Sequence, residues 1–233
     1  MRIVFFSDAH GNQYAVKALF KQIKKEKVDL LVFGGDIFGY YYGQEEIINL
    51  LRNHKIKCLL GNHDKMFLDL IDGKIRRESL IRKYGRTYFD IEKRISDGNI
   101  NFIRTLSSES FLKIDGLNIY FAHGSKKDSL NGRIYPDTDV SRCDEYRGID
   151  FAFLGHTHHE IEKKTFDCTI INPGSIGQPR DGKGCKYVLF DTVKREYHIN
   201  KVFYDLSPLI DEIKANEEGL MRDKLIEVMY RKA

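Results

Sequence analysis

The chain has 233 residues, 42% apolar and 31% charged, with a net charge of +4. That is enough apolar length to bury a sizeable core in one large domain or two small ones, and the weak, evenly spread positive charge argues against nucleic acid as a partner. The opening run reaches an acid too early for a secretory or membrane segment. Cys58, Cys143, Cys168 and Cys185 form no Cys-x-x-Cys pair, so reduced structural thiols in a cytoplasmic protein are expected.

In chain order, "RIVFF" reads as a first buried strand and ends in "SDAHGN". Val16, Leu19, Phe20 and Ile23 then fall at helical spacing and predict a helix over 13–25. "VDLLVF" is a second strand and runs into "GGDIFG"; Ile47, Ile48, Leu50 and Leu51 predict a shorter helix over 45–52. "IKCLL" leads to "GNHD" as a third strand. The stretch 65–110 is charged and has no strand-like run. Helical spacing at Met66, Phe67, Leu70 and Ile71, and again at Phe89, Ile91 and Ile95, predicts a mostly helical insertion. It either caps a site or serves as a structural flank. "FLKID" and "LNIYF" are joined by Gly116, which predicts an antiparallel hairpin. "IDFAFL" and "CTIIN" are further strands, ending in "GHTH" and "PGS". Over 206–231, Leu209, Ile210 and Ile213, then Leu225, Val228 and Met229, predict two short amphipathic helices on the core or on a second subunit of a homo-oligomer. The fold class is α/β with mixed sheets, in a single domain, and the polar strand ends mark the edge where sites form.

Those ends carry Asp8, His10, Asp36, Asn62, His63, Asp64, His123, His156 and His158. In extended chain, residues two apart share a side, so Asp8 should project with His10 and His156 with His158, while His159 points away. Carboxylates and imidazoles without cysteine suit divalent manganese, iron, zinc or nickel. Seven candidate ligands exceed one open catalytic site and suit two metals sharing a carboxylate.

Together "DAHGN", "GGDIFG", "GNHD", "AHG" and "GHTH" resemble the calcineurin-like metallophosphoesterase superfamily. "GDIFGYYYG" and "NPGSIGQPRDG" further resemble its compact bacterial and archaeal branch related to diadenosine tetraphosphatases. The resemblance covers roughly residues 1–200. It implies two β-sheets packed face to face with helices outside, an α/β/β/α sandwich. It also implies one metal on Asp8, His10, Asp36 and His158, and a second on Asp36, Asn62, His123 and His156, with Asp36 bridging.

Two such ions bring four positive charges and the two aspartates return two, so the site would attract a phosphate anion. A bridging water acidified from 15.7 towards about 7 would attack phosphorus in line. His63 is the candidate general acid, with Asp64 expected to hold its other ring nitrogen. Asn12 and Arg180 are the candidate phosphate contacts. Of Tyr40, Tyr41 and Tyr42, one could stack on a nucleobase and at least two should pack. The expected function is hydrolysis of a small phosphodiester or nucleotide, dinucleoside polyphosphates included. The alternatives are a protein serine/threonine phosphatase, a nuclease, or a binding scaffold that has lost catalysis.

Overall fold

The computed structural model describes residues 1–54 and 56–231. Arg2–Phe6 (β1), Leu30–Phe33 (β2) and Lys57–Cys58 (β3) are parallel neighbours. Lys186–Asp191 (β9) pairs antiparallel with the other side of β1, and Glu196–Lys201 (β10) closes that edge. The second sheet is built from Glu109–Ile114 (β4), Leu117–Ala122 (β5), Phe151–Phe153 (β6), Glu160–Lys164 (β7) and Thr169–Pro173 (β8). Its order is β4-β5-β6-β8-β7, with β5, β6 and β8 parallel and both edges antiparallel. The β4–β5 hairpin turns on Asp115 and Gly116, both at positive φ, which a two-residue turn matched to strand twist requires.

Strand alternation builds the layers. In β1, Ile3 and Phe5 face the second sheet and meet Phe121, Phe153 and Phe190, while Val4 and Phe6 face the helices. Helices Gln13–Ile23 (α1) and Gln44–Asn53 (α2) cover that outer face with Val16, Leu19, Phe20, Ile47, Ile48 and Leu51. The stretch expected to be helical contains Asn62–Ile71 (α3), Arg77–Tyr84 (α4), Thr87–Glu92 (α5) and Asp97–Arg104 (α6), which add Phe67, Leu80, Tyr88, Ile91 and Ile103 to the same cluster. The outer face of the second sheet is covered by the connection between β5 and β6 through Ile134, Val140, Tyr146 and Ile149. Ser207–Asn216 (α7) and Gly219–Met229 (α8) pack Leu209, Ile213 and Leu225 on Tyr41 and Tyr42. No helix among the described residues is long and apolar enough to cross a membrane.

Three strands, β7, β9 and β10, fall outside the runs read from the sequence, and one of the expected strands is shorter than its run. "IKCLL" pairs with β2 over only two residues; Leu59 then bridges to Ser107, and the Leu60 N–H donates to the Ser107 carbonyl at 2.9 Å. The chain leaves the first sheet and ties itself to the entry of the second just before Asn62.

Candidate metal centre

Five parallel strands, β1, β2, β3, β5 and β6, end on one edge, and the residues just beyond them converge there. Ligand atoms of Asp8, His10, Asp36 and His158 lie within 4.8 Å of one another, as do those of Asp36, His123 and His156. These six side chains are buried, the most accessible being His156 at 8%.

They converge by a different backbone route from the one expected. Asp8, His10, Asp36, His156 and His158 all have positive φ, between 48° and 68°. With Tyr40 they make six of the eight such non-glycine residues described. Extended alternation therefore does not aim these pairs; left-handed turns do. That conformation costs a residue with a side chain of order 1–3 kcal/mol, and such strain collects at sites where function sets the geometry. Close approach completes the edge. A Cβ on Gly61 would lie 2.1 Å from Asp36 Oδ1, and one on Gly155 would lie 2.2 Å from Ser7 Oγ.

Hydrogen bonds decide which imidazole nitrogens carry protons. His10 Nδ1 lies 2.7 Å from the Phe38 carbonyl, His123 Nδ1 2.8 Å from the Gly34 carbonyl, and His158 Nδ1 2.7 Å from the Gln178 carbonyl. A carbonyl only accepts, so each ring donates from Nδ1 and leaves a lone pair on Nε2. The Nε2 atoms of His10 and His158 stand 2.9 Å apart, and His123 Nε2 stands 2.9 Å from the Asn62 amide oxygen. Asp36 Oδ2 is 3.6 Å from His10 Nε2 and 3.4 Å from His123 Nε2; Asp8 Oδ1 is 3.4 Å from His158 Nε2. His156 Nε2 is buried with no partner. Acceptors facing acceptors in a dry site repel, and a cation between them removes the conflict. The residues present therefore fit divalent metal ions.

The ionisation states agree. Burial, then the neighbouring imidazoles, push His10 and His63 well below their ordinary values. Burial also lowers His158 against the pull of Asp8, and burial with His123 pushes His156 down to about 3. The lowered histidines are neutral near pH 7, the form a metal takes. Burial opposes ionisation of Asp8, but His158 outweighs it and holds the acid well below its usual range. Burial, then the charges of Asp64 and Asp8, push Asp36 well above its usual range. A positive ion is what such a carboxylate lacks.

Two side chains make other contacts than those expected. Asn12 is fully buried and caps α1: its Oδ1 accepts from Ala15 N at 3.1 Å, and its Nδ2 donates to the Gly177 carbonyl and the Tyr204 hydroxyl. Its amide is engaged in these three bonds. Asp64 does not hold the His63 ring. Its carboxylate accepts four backbone N–H groups, from Asp36, Ile37, Phe38 and Gly61, at 2.7–3.2 Å, pinning the Asp36 turn to the start of α3. The partner of His63 Nδ1 is the Tyr88 hydroxyl at 2.6 Å, from α5. The sequence reading missed Tyr88.

Arg180 sits at the edge, half-buried, with Nη2 2.9 Å from the Tyr40 hydroxyl and 3.3 Å from Gln178 Oε1. Tyr40 packs edge-on to His10 and beside His63, while Tyr41 and Tyr42 are buried against α7 and α8. His159 turns away: its Nδ1 donates to the Thr157 carbonyl and its ring meets Tyr135.

Residues 1–195 match the family model of the calcineurin-like phosphoesterase superfamily domain. The chain belongs to the calcineurin-like phosphoesterase superfamily. It is a metal-dependent phosphoesterase. This phosphoesterase is 30% identical over 237 residues to an uncharacterized protein of Methanocaldococcus jannaschii, with 92% of each chain covered. Its fold is similar to the crystal structure of a hypothetical protein from Pyrococcus horikoshii OT3, with TM-score 0.78, 20% identity, and 100% and 99% of the two chains covered. It is also similar to a metallophosphoesterase from Sphaerobacter thermophilus, with TM-score 0.76, 22% identity, and 97% and 99% covered. The two mixed sheets of this phosphoesterase, flanked by helices, are the calcineurin-like sandwich.

Proposed function

We propose that this phosphoesterase hydrolyses a small phosphodiester or nucleotide, dinucleoside polyphosphates included, with two divalent metal ions. The carrying observation is the position of Asp36, whose carboxylate lies between the two groups of lone pairs. Asp8, His10 and His158 would hold one ion with Asp36, and Asn62, His123 and His156 the other. When bound, such a pair supplies positive charge for phosphoryl oxygens and lowers the pKa of a water ligand.

The chain's own groups do the rest. The neutral amide of Asn62 adds a ligand oxygen without cancelling charge. The Arg180 guanidinium, oriented by the Tyr40 hydroxyl, pairs with a phosphate oxygen. His63, 6% exposed beside His10 and Tyr40, serves the leaving oxygen: its ring N–H hydrogen-bonds that oxygen as the phosphorus–oxygen bond breaks and the electron pair passes to it, and the oxygen then takes its proton from solvent water. The free cysteines take no part: burial pushes the Cys58, Cys168 and Cys185 thiols up to about 12, which fits inert structural thiols in a reducing compartment.

The test is a hydrolysis panel on protein stripped with chelator and reloaded with manganese, iron, zinc or nickel. The substrates are aryl mono- and diesters, cyclic nucleotides, diadenosine tetraphosphate and a phosphopeptide. Metal-dependent turnover strongest on diesters or nucleotides is expected. Preference for the phosphopeptide would replace the substrate class, and absence of turnover on every substrate would refute hydrolysis.

A further inference from the structure

Five of the described histidine rings set Nδ1 against a backbone carbonyl: His10, His54, His123, His158 and His159. Those rings carry their proton on Nδ1. His63 differs, because its Nδ1 faces a hydroxyl, that of Tyr88, at 2.6 Å. A hydroxyl can donate as well as accept, so His63 alone of these can hold the opposite tautomer.

The surroundings choose between the two forms. Tyr88 is 1% exposed, and among the described residues the only other acceptor near its hydroxyl is the His63 carbonyl at 3.5 Å. Were the proton on His63 Nδ1, the phenol would accept there and its own buried proton would be left with that long contact. When the phenol donates to Nδ1, both groups are satisfied. Burial pushes the phenol well above its ordinary pKa, so the proton stays on Tyr88 oxygen. The rings lie nearly parallel, 18° apart. The residue before Tyr88 anchors the helix: Thr87 Oγ1 donates to the Tyr41 carbonyl and accepts from Gln44 Nε2. Gly39, at φ 92°, closes the remaining side, since a Cβ there would lie 2.5 Å from His63 Nδ1.

We propose that Tyr88 is a positioning residue: its hydroxyl donates to His63 Nδ1 and keeps the histidine proton on Nε2, where it hydrogen-bonds the leaving-group oxygen. The helical insertion thereby sets the protonation pattern of the site. The part concerning the leaving group rests on the hydrolytic reading above; the tautomer does not.

Nitrogen-15 NMR of the imidazole rings in metal-free, full-length protein tests the tautomer without a variant. The proton of His63 is expected on Nε2, and those of His10, His123 and His158 on Nδ1. A His63 proton on Nδ1 would overturn the proposal. Tyr88→Phe keeps the ring and removes the hydroxyl. It should shift the His63 signals to a mixture of tautomers and lower kcat on an alkyl phosphodiester about tenfold, with KM unchanged. On a p-nitrophenyl ester, whose leaving group needs little help, the loss should be at most about twofold. Adding Tyr88→Phe to His63→Ala should cost nothing further. Equal losses on both esters, or additive losses in the double variant, would contradict the role. A wild-type protein inactive on every ester would refute the hydrolytic reading alone, and the NMR spectrum would still decide the tautomer.

Discussion

The two halves of the proposed metal centre are built differently. In the half around Asp8, His10 and His158 every side chain is at most 2% exposed, and both imidazoles are anchored through Nδ1 to carbonyls of other segments. The half around Asn62, His123 and His156 is looser, although His123 itself is buried and held through Nδ1 by the Gly34 carbonyl. Asn62 is half-buried at the start of α3, and His156 Nε2 has no partner. A ligand whose other nitrogen is held loses little freedom on binding, so the first half should bind its ion tightly and the second should exchange.

The largest disturbance removes what the halves share. Asp36→Ala should abolish uptake of both ions and lower kcat on the order of a thousandfold or more, checked by metal content and steady-state rates. Retention of one tightly bound ion would mean that the halves are independent. Next come single ligands. His158→Ala should empty the tight half, whereas His156→Ala should weaken only the exchangeable ion, by roughly 10–100-fold in a calorimetric titration. Equal effects on both ions would erase the distinction.

The anchoring of the first half can be loosened from a distance. Gln178 and Arg180, which bond His158, precede Asp181, and Asp181 and Glu160 both pair with the buried Lys186 at 2.8 and 2.9 Å. Burial is the largest influence and works to raise both acids, but the Lys186 ammonium, together with Lys183 at Glu160 and with the Lys183 and Glu160 backbone N–H groups at Asp181, outweighs it and holds each below its usual range. Lys186→Met leaves Asp181 without its cation and Glu160 with only the exposed Lys183, and should cost about 3 kcal/mol near neutral pH. Because these folded-state pKa values are depressed, the wild-type advantage is complete above about pH 5, beyond the unfolded values of both acids, and is lost as pH falls through the folded values. Urea unfolding of both proteins from pH 7 to 3 should show the gap closing; a gap that persists at pH 3 would assign the effect to packing. Smallest is Asn12→Ala, which removes the α1 cap two residues after His10. It should cost about 1 kcal/mol and lower Tm by roughly 2–4 °C.

These residues also mark what the sequence made legible. Seven of the ten described strands, the polar ends of the central ones and the set of acids and histidines there were readable, because buried strands need continuous apolar runs and sites form at their ends; the edge strands β7 and β10, and β9, were not. The backbone route was not: Asp and His tolerate positive φ better than most residues, but the same types serve as ligands in extended chain, so Asp8, His10 and His158 do not reveal their turns. The capping contacts of Asn12 and Asp64 are hard to tell from site roles in the sequence, because caps and site residues draw on the same amino acids. Each carried a capping signal, Asn12 directly before an apolar helical pattern and Asp64 three residues after the Gly61 N-cap. Tyr88 gave no signal, since a tyrosine on a helix reads as core and its partner lies 25 positions away.

The central claim is most directly tested by titrating metal into stripped wild-type protein while counting bound ions per chain. Two ions per chain are predicted, one tight and one exchangeable, with hydrolysis of a diester appearing as the second fills. Failure to bind any divalent ion, or full activity with none bound, would contradict it.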